Sequence, residues 1–228
     1  PDITSAIAVD AGDYHCIVLK SDGTVWTWGD NEWGQLGDGS NYGSWWPIQV
    51  PGLSDIVAVA AGHRFNLVLT AAGTVWGWGE NWGQLGDNTI EDRVAPVQVH
   101  GPNNVGFLTN AVAIYAGDQH SMAILTNGTL WGWGRNGQGR LGDGTTTHRL
   151  TPVQVVGLTD VVQVACGYDH TLAVRRDGTV WAWGGNSKGQ LGDGTTTNRL
   201  TPIQVPGLTN VRAVSAGYWS SLALRADG

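Results

Sequence analysis

The sequence predicts an all-β fold built from one repeated unit, and three observations lead to that prediction. First, a Trp-x-Trp-Gly segment occurs four times, at residues 26–29, 76–79, 131–134 and 181–184. Second, the first tryptophans of these segments are 50, 55 and 50 residues apart. Third, glycine contributes 35 of 228 residues, about twice its ordinary ~7%, while the apolar residues keep a regular pattern. Such recurrence indicates an array of supersecondary units joined by tight turns.

The first hairpin of the unit is clearest in the fourth copy. A β-branched run at 161–165 predicts one strand, which ends at Gly167, and the alternating residues 171–174 predict a second. Asp177-Gly178 then predicts a two-residue hairpin turn, because both residues accept the positive φ that such a turn demands.

The second half of the unit holds the tryptophans. Residues 179–183 predict a third strand, with Trp181 and Trp183 on one face because side chains two apart in a strand point the same way. After a loop over 184–201, residues 202–205 predict a fourth strand, whose initial proline suits the edge of a sheet.

Four short strands in about 50 residues, repeated, match a blade of a β-propeller. The landmark glycine of the first hairpin occurs five times, whereas the Trp-x-Trp-Gly strand occurs four times. We therefore predict one partial propeller domain over residues 1–228, with four blades plus a half, which is part of a longer ring or is completed by another chain. The predicted units are about 2–52, 53–107, 108–157 and 158–207, with a half unit at 208–228.

Three motifs recur in fixed order: Ala-Gly-x-x-His-(Ser/Thr)-x-Ala, Gly-Thr-(Val/Leu)-Trp-x-Trp-Gly-x-Asn and Gly-Gln-Leu-Gly-Asp-Gly. Over essentially all of residues 1–228, they closely resemble the regulator of chromosome condensation repeat. The resemblance implies a propeller that usually closes with seven blades. The family's founding member promotes nucleotide exchange on a small nuclear GTPase, and bacterial relatives inhibit enzymes such as β-lactamases. A plant photoreceptor relative carries a Gly-Trp-Arg-His-Thr motif that residues 62–66 and 217–221 do not reproduce.

Composition excludes several classes of partner. The net charge is -7, from 12 Lys+Arg against 19 Asp+Glu, and no basic run provides the positive face that nucleic acid requires. No apolar stretch approaches the ~18 residues of a membrane span. Cys16 and Cys166 lie three repeats apart, so both are expected to be free. Sparse lysine with abundant Thr, Asn and Gly favours a secreted bacterial protein over a nuclear one.

Residues that recur in every unit are expected to serve folding and stacking. His15, His120 and His170 stand beside acids, but sequence neighbours on a strand alternate faces, and no metal-ligand spacing accompanies them. We interpret these histidines as bonding backbone or packing between blades. The acid of the Leu-Gly-Asp motif lacks the alternating oxygen donors of a calcium loop and is interpreted as a turn cap; it is found at Asp38, Asp87, Asp143 and Asp193. We expect no catalytic residues, metal or cofactor.

Function is sought where one unit departs from the rest. Five tryptophans lie outside the Trp-x-Trp pairs, and the first two units concentrate aromatic residues on loops, at Trp33, Tyr42, Trp45, Trp46 and Trp82. Exposed aromatics among Gly, Asn and Ser are typical of recognition surfaces. The alternative is that they cover gaps between blades or pack on the rest of a ring, which is the expected role of Tyr218 and Trp219.

The leading hypothesis is a non-enzymatic module that presents these aromatics to another protein, with enzyme inhibition as one form of that role. A carbohydrate-binding propeller would use the same residues to stack on sugar rings. Nucleotide exchange on a small GTPase is a further alternative, disfavoured by the acidic charge. Self-association to complete the ring is also considered.

Overall fold

The computed structural model describes residues 3–228, and nearly all of their regular structure is antiparallel β-strand. The predicted start of the first unit, at residue 2, lies outside the described residues. Four sheets of four strands are followed by a hairpin of two strands. The first sheet contains β1 (Ala6–Ala11), β2 (His15–Lys20), β3 (Val25–Gly29) and β4 (Ser44–Gln49). The second contains β5 (Ile56–Ala61), β6 (Phe65–Thr70), β7 (Val75–Gly79) and β8 (Arg93–Gln98).

The remaining sheets repeat this order. The third contains β9 (Ala111–Ala116), β10 (His120–Leu125), β11 (Leu130–Gly134) and β12 (Arg149–Gln154). The fourth contains β13 (Val161–Cys166), β14 (His170–Arg175), β15 (Val180–Gly184) and β16 (Arg199–Gln204). The final hairpin contains β17 (Val211–Ala216) and β18 (Ser221–Arg225).

The first strands of successive sheets, β1, β5, β9, β13 and β17, pack against one another and are therefore the innermost. Each sheet then runs outward in chain order to its fourth strand, which forms an edge. Antiparallel sheets arranged in this way are the blades of a β-propeller, so the predicted fold class is confirmed.

The hydrophobic core lies between blades. Trp78 of the second blade packs among Ile17 and Leu19 of the first, and Trp133 of the third packs beside Phe65 and Leu67 of the second. The second tryptophan of each Trp-x-Trp pair is fully buried wherever a preceding blade is present in the described chain. Stacking of neighbours therefore buries the apolar faces that one blade alone would expose.

The fourth unit follows the predicted strands with two corrections. The fourth strand begins at Arg199, because Arg199 pairs with Gly184 across an irregularity in the ladder. The hairpin at Asp177-Gly178 is present, but only Gly178 has positive φ, at 76°, so the two-residue turn was wrong. Gly178 N–H bonds the Arg175 carbonyl and Arg175 N–H bonds the Thr179 carbonyl, which makes a longer turn closed by a left-handed glycine.

The second and third Trp-x-Trp segments are 55 rather than 50 residues apart, and the longer connection between their sheets forms a 3₁₀ turn over Pro102–Asn104, closed by a bridge between His100 and Phe107. Cys16 and Cys166 are both free, as expected. Among residues 3–228, no helix has the length and apolar character that crossing a membrane requires.

Candidate functional site

The outer-edge patch consists of Tyr42, Trp45 and Trp46, on β4 and the loop before it. Their exposed fractions are 83%, 94% and 72%. Such large aromatic side chains normally lose most of their accessible surface in a fold. Three of them in five residues make the first blade the most aromatic outer edge of the described chain.

An asparagine holds the long loop of every blade in a fixed shape. In the first blade, the amide of Asn31 donates to the carbonyls of Ser40 and Tyr42, at 3.0 Å each. Its side-chain oxygen accepts the N–H of Leu36 at 2.8 Å. Asn186 makes the same set of bonds in the fourth blade. The backbone of Tyr42 is therefore anchored while its ring is exposed, so little loop entropy is lost when a partner binds.

The acid of the Leu-Gly-Asp motif caps a turn, as predicted: Asp143 accepts the N–H of Thr145 at 3.0 Å, and the other three units repeat the contact. In the second, third and fourth blades the acid also binds an arginine that sequence reasoning missed. The bridge joins Arg93 to Asp87, Arg149 to Asp143 and Arg199 to Asp193, at 2.6–2.7 Å. The first blade has Ser44 in place of the arginine, so its outer edge lacks this clamp.

Trp33 and Trp82 lie apart from the outer-edge patch, on the loops that contact the next blade. The guanidinium of Arg64 lies 5.5 Å from the Trp33 ring centroid, and that of Arg135 lies 4.8 Å from Trp82. Trp33 is half-buried, whereas Trp82 is 45% exposed. The structure thus separates the five predicted aromatics into an outer patch and a pair stacked on arginines between blades.

The inner ends of the blades form a second surface feature, the axial mouth, which sequence reasoning missed. One residue from each unit, directly after the landmark glycine, lines a cavity of about 270 Å³: Asp13, His63, Asp118, Tyr168 and Tyr218. His63 lies 3.0 Å from Asp13, and the two tyrosine rings stack 4.0 Å apart. Burial raises the pKa of Asp118, and the nearby positive groups only partly oppose this effect. The signal was available in the sequence, since this position differs between units while its glycine neighbour does not.

The three repeated histidines join neighbouring blades, as predicted. His15 Nε2 lies 3.0 Å from Asn66 Oδ1, and His120 Nε2 lies 3.0 Å from Thr171 Oγ1. Burial lowers the pKa of all three rings, most strongly that of His120. They are therefore neutral structural groups at neutral pH.

His170 has a serine on one side and an acid on the other, which superficially matches a nucleophilic triad. Its Nε2 lies 3.0 Å from Ser221 Oγ, but that hydroxyl donates to the Gln190 carbonyl at 2.7 Å. Asp169 lies 4.0 Å from Nδ1, beyond hydrogen-bond range. His15 makes the equivalent contact with the amide of Asn66, which cannot act as a nucleophile. The arrangement at His170 therefore serves blade packing and lacks a poised nucleophile.

The family model for the RCC1-like domain matches residues 1–228. The human E3 ubiquitin-protein ligase HERC2 is 32% identical over 145 residues, which cover 61% of this chain and 3% of the ligase. The ultraviolet-B receptor UVR8 of Arabidopsis thaliana is 32% identical over 150 residues, covering 64% of this chain and 33% of the receptor. The chain thus spans a third or less of these two relatives. The solved structure of Prp20p from Saccharomyces cerevisiae has a TM-score of 0.85 at 22% identity, covering 100% of this chain and 58% of Prp20p.

Proposed function

This chain belongs to the RCC1-like domain family, and from that premise we propose that it is a non-enzymatic protein-interaction module presenting loop aromatics on a rigid propeller. The proposed contact residues are Trp33, Tyr42, Trp45, Trp46 and Trp82, with the outer-edge patch at the centre. The observation that carries the proposal is the exposure of Tyr42 and Trp46 on an ordered edge.

At the equivalent positions of the other blades, the side chains stay exposed or half-buried beside a neighbouring blade. The positions equivalent to Tyr42 hold Glu91, Thr147 and Thr197, which are exposed although their blades have neighbours. The positions equivalent to Trp46 hold small residues that are exposed or half-buried. The other blades pack with small or polar residues at these two positions, and the large aromatics of the first blade therefore support a recognition role.

Aromatic anchors of this kind dominate binding free energy, and loss of one typically costs ~2 kcal/mol or more. The fixed backbone under Tyr42 lowers the entropy cost of binding. An enzyme whose cleft such a patch would block is one kind of partner that fits, so enzyme inhibition is a form of this proposal.

The test replaces both aromatics with threonine, which the fourth blade carries at the equivalent positions, Thr197 and Thr201. Tyr42→Thr and Trp46→Thr together should leave thermal stability within ~1 °C, because both side chains are solvent-exposed. Proteins bound by the chain in an extract of its source are compared by quantitative mass spectrometry for wild type and variant. A candidate is then purified, and its affinity should fall by at least about tenfold.

The matched control replaces the same rim positions in the fourth blade, Thr197→Ala and Thr201→Ala, which should not change that affinity. Equal binding by wild type and the aromatic variant would refute the proposal. So would a loss of stability in proportion to the loss of binding, because the aromatics would then serve the fold.

Nucleotide exchange is a second candidate, since Prp20p, whose fold this chain shares, is described with binding properties to Gsp1p and histones. Release of a fluorescent guanine nucleotide from a Gsp1p-type GTPase would support it. A carbohydrate partner would instead be indicated by glycan-array binding that Tyr42→Thr and Trp46→Thr abolish.

A further inference from the structure

The hairpin between the second and third strands follows one plan, from which the second blade departs. In the other units, the second strand ends on a long side chain: Lys20, Leu125, Arg175 and Arg225. Two positions later these units carry an acid or an amide: Asp22, Asn127, Asp177 and Asp227. The second blade has Thr70 and Ala72 at the two positions, so both of its side chains are short.

Where the long side chain is basic, it pairs with the acid of its own turn. The bridges measure 3.1–3.6 Å and join Lys20 to Asp22, Arg175 to Asp177 and Arg225 to Asp227. The second blade can form no such pair with a threonine and an alanine.

The departure also releases an indole. In the first blade, the Thr24 hydroxyl donates to Asp22 at 2.6 Å and accepts the indole N–H of Trp26 at 3.0 Å, and the third and fourth blades repeat this arrangement. In the second blade, the Thr74 hydroxyl pairs instead with that of Thr70, at 2.7 Å. The indole N–H of Trp76 has no hydrogen-bond partner within residues 3–228, and the side chain is half-buried.

The short side chains leave an open cavity of about 410 Å³, which we call the second-blade groove. It lies between the hairpin at 70–74 and the segment at 52–55 that enters the blade, and Trp76 forms part of its lining. Small-ligand sites have volumes of about 300–1,000 Å³. Asp55 on the rim is exposed and forms no ion pair in the described part of the chain.

The fourth blade shows what fills the corresponding space when the side chain is long. Nε of Arg175 donates to the Thr159 carbonyl at 3.0 Å, and Nη2 lies 3.5 Å from Asp160 Oδ2. Ser54 and Asp55 stand at the positions of Thr159 and Asp160, and both line the groove. The groove therefore keeps these two acceptor positions of an arginine but lacks the arginine.

A cation also suits the aromatic wall of the groove. In the first blade, Nζ of Lys20 lies 5.6 Å from the ring centroid of Trp26, which corresponds to Trp76. Such a cation is attracted by the negative face of an indole. Among the described residues no cation faces the ring of Trp76, so this favourable contact is left for a ligand.

We propose that the second-blade groove binds the side chain of an arginine carried by a partner polypeptide. Its guanidinium lies between the Asp55 carboxylate and the Ser54 carbonyl and faces the ring of Trp76. The inference is independent of the outer-edge patch, because Tyr42 and Trp46 take no part in the groove.

An arginine fits the groove better than a lysine. Lys20 is held by Asp22, whose counterpart in the second blade is Ala72, so the acceptor that a lysine uses is missing. The fork of a guanidinium reaches two acceptors at once, as Arg175 does in the fourth blade.

The probe is N-acetyl-arginine methylamide, and its neutral isostere, N-acetyl-citrulline methylamide, is the comparison. Each is titrated into the intact 228-residue chain at constant ionic strength, while amide and indole N–H resonances are followed. We expect saturable shifts at the Trp76 indole and at residues 70–74, with a Kd of about 1–10 mM for the arginine probe. The citrulline probe should bind at least about fivefold more weakly, because it lacks the charge.

Asp55→Asn tests the carboxylate with a residue that the third unit carries at the same position. Asn110 has φ 62° and Asp55 has φ 55°, so the backbone accommodates the change. Binding of the arginine probe should weaken about three- to fivefold. Asp160→Asn is the matched control in the fourth blade and should leave binding unchanged, because Arg175 already occupies that space.

An exchange between blades tests the groove itself. Thr70→Arg with Ala72→Asp gives the second blade the pair of the fourth and should abolish binding, because the chain's own arginine then fills the groove. The reciprocal change, Arg175→Thr with Asp177→Ala, should open a second groove and shift the indole resonance of Trp181 on addition of the probe. Misfolding cannot produce such a gain of binding.

Absence of saturable shifts up to about 50 mM, or equal binding of the arginine and citrulline probes, would overturn the inference. Binding that Asp55→Asn leaves unchanged would overturn it as well. Tighter binding of methyl β-glucoside than of the arginine probe would assign the groove to a sugar and refute the proposal.

Discussion

The clamp between Arg149 and Asp143 allows a stability prediction that the chain itself helps to calibrate. The first blade carries Ser44 at the arginine position, so Arg149→Ser transplants a residue that this fold already accommodates there. In the third blade, the Nε and Nη2 atoms of Arg149 lie 2.8 and 2.6 Å from Asp143 Oδ2. The substitution removes both contacts and leaves the carboxylate in place.

The expected cost follows from burial. The Asp143 side chain is 2% exposed, and stranding one partner of a fully buried ion pair costs ~3–5 kcal/mol. The Arg149 side chain is 35% exposed, however, and solvent screening reduces the value of such a pair. Asp143 also keeps its bonds from Thr145 and Asn136. The loss should therefore match charged hydrogen bonds, at about 2 kcal/mol.

Urea unfolding at pH 7 measures this cost, with Arg212→Ser as a control at an exposed arginine that should change stability by less than ~0.5 kcal/mol. Asp143→Asn and the double variant complete a thermodynamic cycle, whose coupling should approach the cost of Arg149→Ser alone. If Arg149→Ser costs no more than Arg212→Ser, the clamp contributes nothing and the reasoning is refuted.

The effect should also depend on pH. Burial alone would raise the pKa of Asp143, but hydrogen bonds from Thr145 and Arg149 outweigh it and hold the pKa below its ordinary value. Stability from such a group is complete above the unfolded pKa of ~3.9 and is lost as pH falls through the folded pKa. The difference between wild type and Arg149→Ser should therefore shrink below about pH 4.

Three further predictions concern a histidine, a cysteine and a glycine. Because burial holds the pKa of His120 well below its usual value, the unfolded chain binds a proton first, and stability should fall as pH drops below ~6.5. His120→Phe, which copies the second blade, should flatten that slope between pH 7.5 and 5.5; an unchanged slope would contradict the assignment. Cys166 is half-buried at the axial mouth, and burial raises the pKa of its thiol far above normal; in a Cys16→Ala background it should therefore react with an aromatic disulfide reagent more slowly in the native chain than after unfolding, and equal rates would count against this. Gly139→Ala places a Cβ against the next blade as well as at positive φ, whereas Gly207→Ala has only the positive φ, at 74°. Thermal unfolding should show ~1–2 kcal/mol for Gly207→Ala and clearly more for Gly139→Ala, with equal costs arguing against a tight contact between Gly139 and Leu200.

The repeat made the strands and their order predictable, because each blade provides another reading of the same pattern. Trp181 and Trp183 marked the third strand, and Pro202 marked an edge. The start of the fourth strand at Arg199 was missed, since its pairing with Gly184 is a backbone contact with no hydrophobic signature.

The contacts between blades were the least predictable part. Trp33 was recognised as unusual, but its stacking on Arg64 depends on two loops whose relative position only the assembled propeller fixes. Exposure was equally hidden, because Trp33 and Trp46 are both tryptophans that follow the first Trp-x-Trp pair but differ in burial. The exposed positions of Tyr42 and Trp46 agree with a recognition surface, while their binding role stays a prediction.

The second tryptophan of each Trp-x-Trp pair packs on the preceding blade, and this direction has a consequence for how the polypeptide matures during synthesis. The carbonyls of Gln35, Gln84 and Arg140 are covered by indoles 43, 49 and 43 residues downstream, never upstream. At a translation speed of ~5–20 residues per second, a newly made blade waits roughly two to ten seconds for its cover. The most recently made blade of the nascent chain therefore exposes an apolar face until the next blade covers it. The site at which a chaperone could bind thus moves along the chain with each new blade.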